Sequence, residues 1–280
     1  MSLSVATSRT PADARWSDAG LANVTRAFAP MVREGRYDAS EMAIATFLMA
    51  KAAGRPLVLL PVVFTARPQE GGLVTRPDSP IRGPEDLHGA RIGVRAYSQT
   101  SGMWLRGTLE EAHGLSPAAM RWLTFEDAHL DSHRDPPWVE RAAPGADMAA
   151  LLRAGALDAA IFGSDLPPGF RPVFPDPAAA GRAFVARHGF TPVNHLLVAR
   201  EDVAREQPEA LRAFMAALLE AGCAFAPPAA LDPVLALAGR FCHAQGLTPR
   251  ALGPGEAWAG TPAALQHDPR RPPGPLRRLD

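Results

Sequence analysis

The chain of 280 residues is short of several things, and each shortage narrows what it does. It has no net charge, with 29 basic against 29 acidic side chains, so it lacks the electrostatic footprint of a nucleic-acid or anionic-membrane binder. No apolar run reaches the ~18–20 residues of a membrane span, and no membrane insertion is expected. The opening stretch MSLSVATSRTPADARW has no apolar signal-peptide core, which gives the expectation of a cytoplasmic location. Cys223 and Cys242 are the only cysteines; they match no metal spacing and read as small core residues in a reducing compartment. Lysine occurs once, at Lys51, a mark of genome composition. Also missing are the P-loop and the Gly-x-Gly-x-x-Gly, Gly-x-Ser-x-Gly and His-Glu-x-x-His patterns, so nucleotide binding and the common hydrolase mechanisms have no support.

What is present fits one large or two medium globular domains, with 47% hydrophobic residues. Continuous apolar runs predict buried strands at Leu57–Phe64, Ala90–Ala96 and Leu157–Phe162, with shorter ones at Leu3–Ala6, Arg121–Phe125 and Leu196–Ala199. Pro61 inside the first run suits an edge or a bulge. Helices are predicted over Pro30–Glu34, Glu41–Ala53 (Ser40 as N-cap), Thr100–His113 (stopped by Gly114), Asp147–Ala154, Pro177–Arg187, Glu206–Ala224 and Leu231–Gln245. Strands alternating with such helices imply a mostly parallel α/β sheet. The proline- and arginine-rich end from His267 reads as disordered.

Two strand–loop–helix corners stand out, YDASEMAIATFLMAKAAG (Tyr37–Gly54) and ARIGVRAYSQTSGMWLRG (Ala90–Gly107). Open α/β sheets bind ligands at the carboxyl ends of strands, where helix N-termini offer free N–H groups to an anion. Ser40 is either a plain N-cap or a ligand contact, and Glu41 a first-turn acid or a proton donor. The run Tyr97, Ser98, Gln99, Thr100, Ser101 suits a carboxylate. Trp104 either stacks on a ring or fills the core, and Arg67 makes either a two-pronged carboxylate contact or a surface ion pair. The segment FEDAHLDSHRD (Phe125–Asp135) gathers Glu126, Asp127, His129, Asp131 and His133, but Pro136 and Pro137 break any helix. It is expected to be a solvated loop, with no metal and no cofactor in the protein.

The stretches YDASEMAIATFLMAKAAGRP, VFTAR, RIGVRAYSQTSGMWLRGTLEEAHGL, RWLTFED, GALDAAIFG, FPDPAAAGRAFVARHGFTPVNHLLVARED and AQGLTPRAL, in this order, resemble the 4,5-dihydroxyphthalate decarboxylase family. That resemblance implies the type II periplasmic-binding-protein fold: two α/β lobes with a ligand cleft at the hinge. Lobe one would be residues 1–97 with 195–267, lobe two 98–194, and 268–280 a disordered tail. The chain departs from the family in its opening turn, where Thr7–Asp13 (TSRTPAD) lacks the usual aromatic and most of the acidity.

The activity implied is cofactor-independent decarboxylation of a hydroxylated aromatic acid, so the expected partner is a small anionic aromatic carboxylate. Under it, Arg67 with Thr100 and Ser101 would anchor the spectator carboxylate. Asn194 or Tyr97 would contact the hydroxyls, and His195 or Glu41 would supply the proton. Ser40, Gln99 and Trp104 complete the expected binding set. The alternative implied by the same fold is a non-catalytic solute-binding protein, which alone would need transporter subunits as partners.

Overall fold

The structure, a computed structural model, describes residues 2–163 and 166–271. The chain begins with β1 (Leu3–Ala6), β2 (Trp16–Asp18) and α1 (Phe28–Glu34). β3 (Ala39–Ala43), α2 (Ile44–Ala52) and β4 (Leu57–Ala66) follow. A second group runs β5 (Leu73–Thr75), β6 (Arg91–Val94), α3 (Thr100–His113), β7 (Arg121–Thr124) and β8 (Val139–Arg141). It continues through α4 (Met148–Arg153), β9 (Ala159–Ile161), β10 (Arg171–Pro172) and α5 (Pro177–His188). The chain then returns with β11 (Val193–Arg200), α6 (Glu201–Glu206), α7 (Pro208–Glu220), β12 (Ala224–Phe225), α8 (Pro228–Ala244) and α9 (Pro254–Ala257).

These strands form two six-stranded sheets, ordered β12-β4-β11-β3-β1-β2 and β10-β5-β9-β6-β7-β8. Each sheet heads one α/β lobe, as expected. The expectation of mostly parallel strands is corrected: β11 and β12 run against their neighbours in the first sheet, as β5 does against β9 and β10 in the second. The cause is the crossing chain: β5 enters the second sheet, and β11 the first, from the end opposite to the strands beside it. Strand direction leaves no mark on an apolar run, because a strand buried on both faces reads alike either way.

The strands change sheet between Ala66 and Leu73 and again between Pro172 and Val193. The expected lobe boundary at 97 therefore falls well after the first crossing, since β5 and β6 pair within the second sheet. Both neighbouring runs are apolar, so composition does not say which sheet takes them. Of the expected tail, residues 272–280 lie outside the described residues. Its first residues lie against α7, where Arg212 donates to the Pro269 and Arg271 carbonyls at 3.5 and 3.4 Å.

Pro61 sits in β4 opposite a stretch of β11 where the register shifts between Val193 and Leu197. A proline has no N–H for the ladder, and bulges absorb that loss. The helix expected at Glu206–Ala224 runs instead over Pro208–Glu220: Pro208 opens α7 as a first-turn proline, while Glu206 ends α6.

Helix α3 matches its predicted limits and ends on Gly114 with φ +67. It lies against α8, a contact that depends on Gly107. A Cβ there would stand 2.2 Å from the Phe241 ring, which is itself buried. Gly107→Ala is expected to cost about 1–3 kcal/mol through overpacking, seen as a lowered melting temperature; an unchanged transition would mean α3 is free to shift.

Candidate functional site

The two sequence corners meet where the lobes face each other. The first differs from expectation. Residues 39–43 form β3, paired with β1 and β11, and α2 begins only at Ile44 with Ala43 at its cap position. Ser40 is therefore corrected from helix cap or ligand contact to a fully buried strand residue. Its hydroxyl donates to the carbonyls of Glu41 (2.8 Å) and Ala6 (3.2 Å). A Ser-Glu pair before an apolar stretch imitates a capping signal, and tertiary strand pairing overrides it.

Glu41 points from β3 to His195 on the neighbouring β11, with Oε1 accepting from Nδ1 at 2.6 Å. Its other oxygen accepts from the Ser8 N–H at 2.9 Å and the Ser8 hydroxyl at 2.5 Å. Glu41 is 1% exposed. Burial is the largest single influence and pushes its pKa up, but His195 and Ser8 together outweigh it and hold the carboxyl below its ordinary value. Glu41 is thus held as a carboxylate bonded to His195, which disfavours it among the two expected donors, His195 or Glu41.

With Nδ1 committed to Glu41, Nε2 is the imidazole atom left to exchange a proton. The His195 side chain keeps 23% exposure, enough for a ligand to reach. Its ring stands edge-on to Phe28, centroids 5.3 Å apart.

A second histidine, His129, stands edge-on to the same Phe28 ring at 5.5 Å, with Nδ1 2.9 Å from the Thr46 hydroxyl. It arrives on the loop after β7, from the other sheet. Arg33 fastens that loop to α1 through the Ala128 and His129 carbonyls (3.0 and 2.8 Å), and Arg55 through Asp131 (3.0 Å). Burial first, then the charges of Arg95, Arg33 and His195, lowers the His129 pKa to about 4, so it is neutral near pH 7. The segment is a loop with most of its polar residues exposed, as expected, but anchored at these points, and its histidines part: His133 turns to Asp135 at 3.2 Å.

The second corner keeps most of its expected residues together. Thr100 opens α3, and its hydroxyl accepts the N–H of Ala45 in the first turn of α2 at 3.2 Å. Two helix N-termini are thereby set mouth to mouth. Gln99, Arg67 and Ser101 converge on Gly163, where a Cβ would lie 3.5, 3.7 and 3.8 Å from their polar ends. The Gln99 side-chain oxygen is buried without a hydrogen-bond partner.

Three other expected ligand residues are committed elsewhere. Tyr97 is buried on the Arg106 guanidinium, and its hydroxyl accepts from Trp138 at 3.0 Å. Trp104 is wholly buried among Phe184, Phe190 and Phe241, and its indole donates to the Val193 carbonyl at 2.9 Å. Asn194 is held by Gln69, whose amide donates to it at 2.8 Å while also bonding the Arg67 carbonyl. Buried polar groups take protein partners where they can, and these have them.

Sequence reasoning missed Ser8, Phe28 and Gln69, and it took His129 only as a metal candidate. Ser8 lies in the opening turn that departs from the family pattern, so a short turn still serves the site.

Two surface cavities lie elsewhere. One of about 550 Å³ is lined by Arg33, Arg55, Arg200 and Asp202, among others. The other, of about 380 Å³, lies between α3 and α5 and holds a His188–Glu111 pair at 3.1 Å.

Residues 25–133 match the family described as NMT1/THI5 like. A curated 4,5-dihydroxyphthalate decarboxylase of Comamonas testosteroni is 27% identical over 197 residues, covering 63% of this chain and 58% of its own length. One from Pseudomonas putida is 31% identical over 138 residues, covering 46% of this chain and 53% of its own. The chain thus spans little more than half the length of these relatives.

Among solved structures, the periplasmic aliphatic sulphonate binding protein SsuA of Escherichia coli superposes with a TM-score of 0.52 at 14% identity, over 92% of this chain and 91% of its own. A periplasmic sulfonate-binding protein of Methylobacillus flagellatus gives 0.50 at 14% identity, over 86% and 78%. The chain is therefore NMT1/THI5-like over residues 25–133, similar in sequence to 4,5-dihydroxyphthalate decarboxylases, and built on the two-lobed type II periplasmic-binding-protein fold.

Proposed function

We propose that this protein is a cofactor-independent decarboxylase of a hydroxylated aromatic carboxylic acid, with His195 as the proton donor. One observation carries the reading: a buried carboxylate, Glu41, holds a partly exposed histidine at 2.6 Å beside two adjoining helix N-termini. The helix ends, with Arg67, Gln99 and Ser101, supply the anchor for a carboxylate.

In 4,5-dihydroxyphthalate each carboxyl stands para to a ring hydroxyl. As that hydroxyl pushes electrons into the ring, the carbon bearing the carboxylate takes the proton from His195 Nε2. The bond to the carboxylate then breaks, its electron pair restores the aromatic ring, and CO2 departs. Glu41 steadies the imidazolium before transfer, and solvent reprotonates the ring afterwards. The lobes shield the reacting carbon from water.

The names of the curated relatives support this reading. The names of the sulfonate-binding neighbours favour a second one, in which the same corner binds a small organic anion without reacting. One measurement divides them: CO2 release and loss of ultraviolet absorbance with 4,5-dihydroxyphthalate in the presence of a chelator. Sustained turnover is the expected outcome. No turnover, with a ligand-induced rise in melting temperature, would replace the enzyme with a binding protein.

A further inference from the structure

Arg106 is a buried, strongly charged group near the site that the mechanism above does not use. It is wholly buried on α3. Its side chain runs back along the helix, so that Nη1 would stand 2.9 Å from a Cβ on Gly102. Nη2 donates to the Tyr97 carbonyl at 2.5 Å and Nε to Gln245 Oε1 at 2.8 Å, while Nη1 has no partner. The Tyr97 and Trp122 rings flank the guanidinium, centroids 3.9 and 5.1 Å from its carbon. Among the described residues no carboxylate pairs with it; Asp135 acts only through space.

Two rules make this placement unfavourable. A buried cation without a bonded counter-ion is costly, and arginine does not escape by losing its proton. A cation under the first turns of a helix also opposes the macrodipole, whose positive end is there. Positive potential therefore accumulates beneath the Gln99–Ser101 corner, offset at a distance by Asp135.

We propose that Arg106 is the specificity determinant of the site, its buried charge awaiting the ligand's anionic group as counter-ion and so selecting an anion over a neutral isostere. Arg106 acts through the field and through the Tyr97 loop, not by touching the ligand. The inference rests on the reading that the ligand's carboxylate sits at the start of α3.

The test measures calorimetric affinities of phthalate and of its neutral analogue phthalamide for the wild type, Arg106→Met, Arg106→Lys and Gln245→Glu. Arg106→Met is expected to weaken phthalate by roughly 10- to 100-fold, the effect of one charge about 6–12 Å away at an effective dielectric of about 20, and to leave phthalamide nearly unchanged. Arg106→Lys should keep much of the preference. Gln245→Glu supplies a resident carboxylate to the guanidinium, gives up the donor to the Met103 carbonyl, and serves should the methionine variant unfold; it too should lose the preference for phthalate. Equal losses for both ligands, or a Gln245→Glu protein that binds phthalate as the wild type does, would make Arg106 a structural prop and overturn the proposal. A wild type that binds neither probe would instead sink the placement of the ligand site, and this inference with it.

Discussion

His195→Ala is expected to lower decarboxylation by about 10²–10⁴-fold while the ligand still binds, because the proton donor is lost and the anchoring corner is intact. Glu41→Gln should remove much of the same rate. The glutamine keeps a contact to Nδ1 but not the charged hydrogen bond that fixes the ring. The double variant should be little worse than His195→Ala alone, since the two residues act as one unit. Additive losses would separate them, and full activity in His195→Ala would remove the histidine from the mechanism.

The pair also sets a pH signature. Glu41 has a folded pKa below its ordinary value of 4.5, so it contributes stability that is fully present above that value. That contribution is lost as the pH falls through the lower folded pKa, where the carboxyl takes up a proton and its bonds to Ser8 and His195 weaken. Melting temperature followed from pH 7 downward should therefore drop more steeply below about pH 4.5 in the wild type than in Glu41→Gln. Parallel curves would mean that Glu41 is not held ionised by these partners.

Trp104→Ala is expected to cost about 3–5 kcal/mol, the range for deleting a large aromatic from a closed core. The ring fills the space between α3, α5 and α8, in contact with Phe184, Phe190 and Phe241, and nothing nearby can collapse into the gap without moving a helix. The lost indole N–H also strands the Val193 carbonyl where β11 begins. A chain of this size should lose on the order of 10 °C in melting temperature. Trp104→Phe keeps most of the packing, so its phthalate affinity should match the wild type. A clear loss of affinity in a well-folded Trp104→Phe protein would restore the tryptophan to the ligand.

Much of the fold is legible in the sequence, and the site only in part. The limits of α3 follow from a polar run, an apolar stripe and Gly114, all local signals. The pairing of Glu41 with His195 joins residues 154 apart, and that of Ser8 with Glu41 joins residues 33 apart. No local pattern announces either. Glu41 and His195 are both suggested by residue type, but their division of labour depends on which is buried and what each bonds. Trp104 and Tyr97 mislead for the opposite reason: aromatic residues beside a polar loop look like ligand platforms, and here they face inward.

The stitching of the His129 loop onto α1 and α2 bears on how long a ligand stays. The loop is held by carbonyl bonds to Arg33, an exposed ion pair between Arg55 and Asp131, and the Thr46–His129 contact. Such bonds can be exchanged for water at small net cost, but Leu130, 7% exposed, and Ala128 also tie the loop to the apolar core. Release of the loop would therefore expose apolar surface as well as break polar bonds, and added salt weakens only the Arg55–Asp131 pair among them. Under the proposed function, the time a ligand stays then depends on the apolar part of this clasp as well as on its surface bonds.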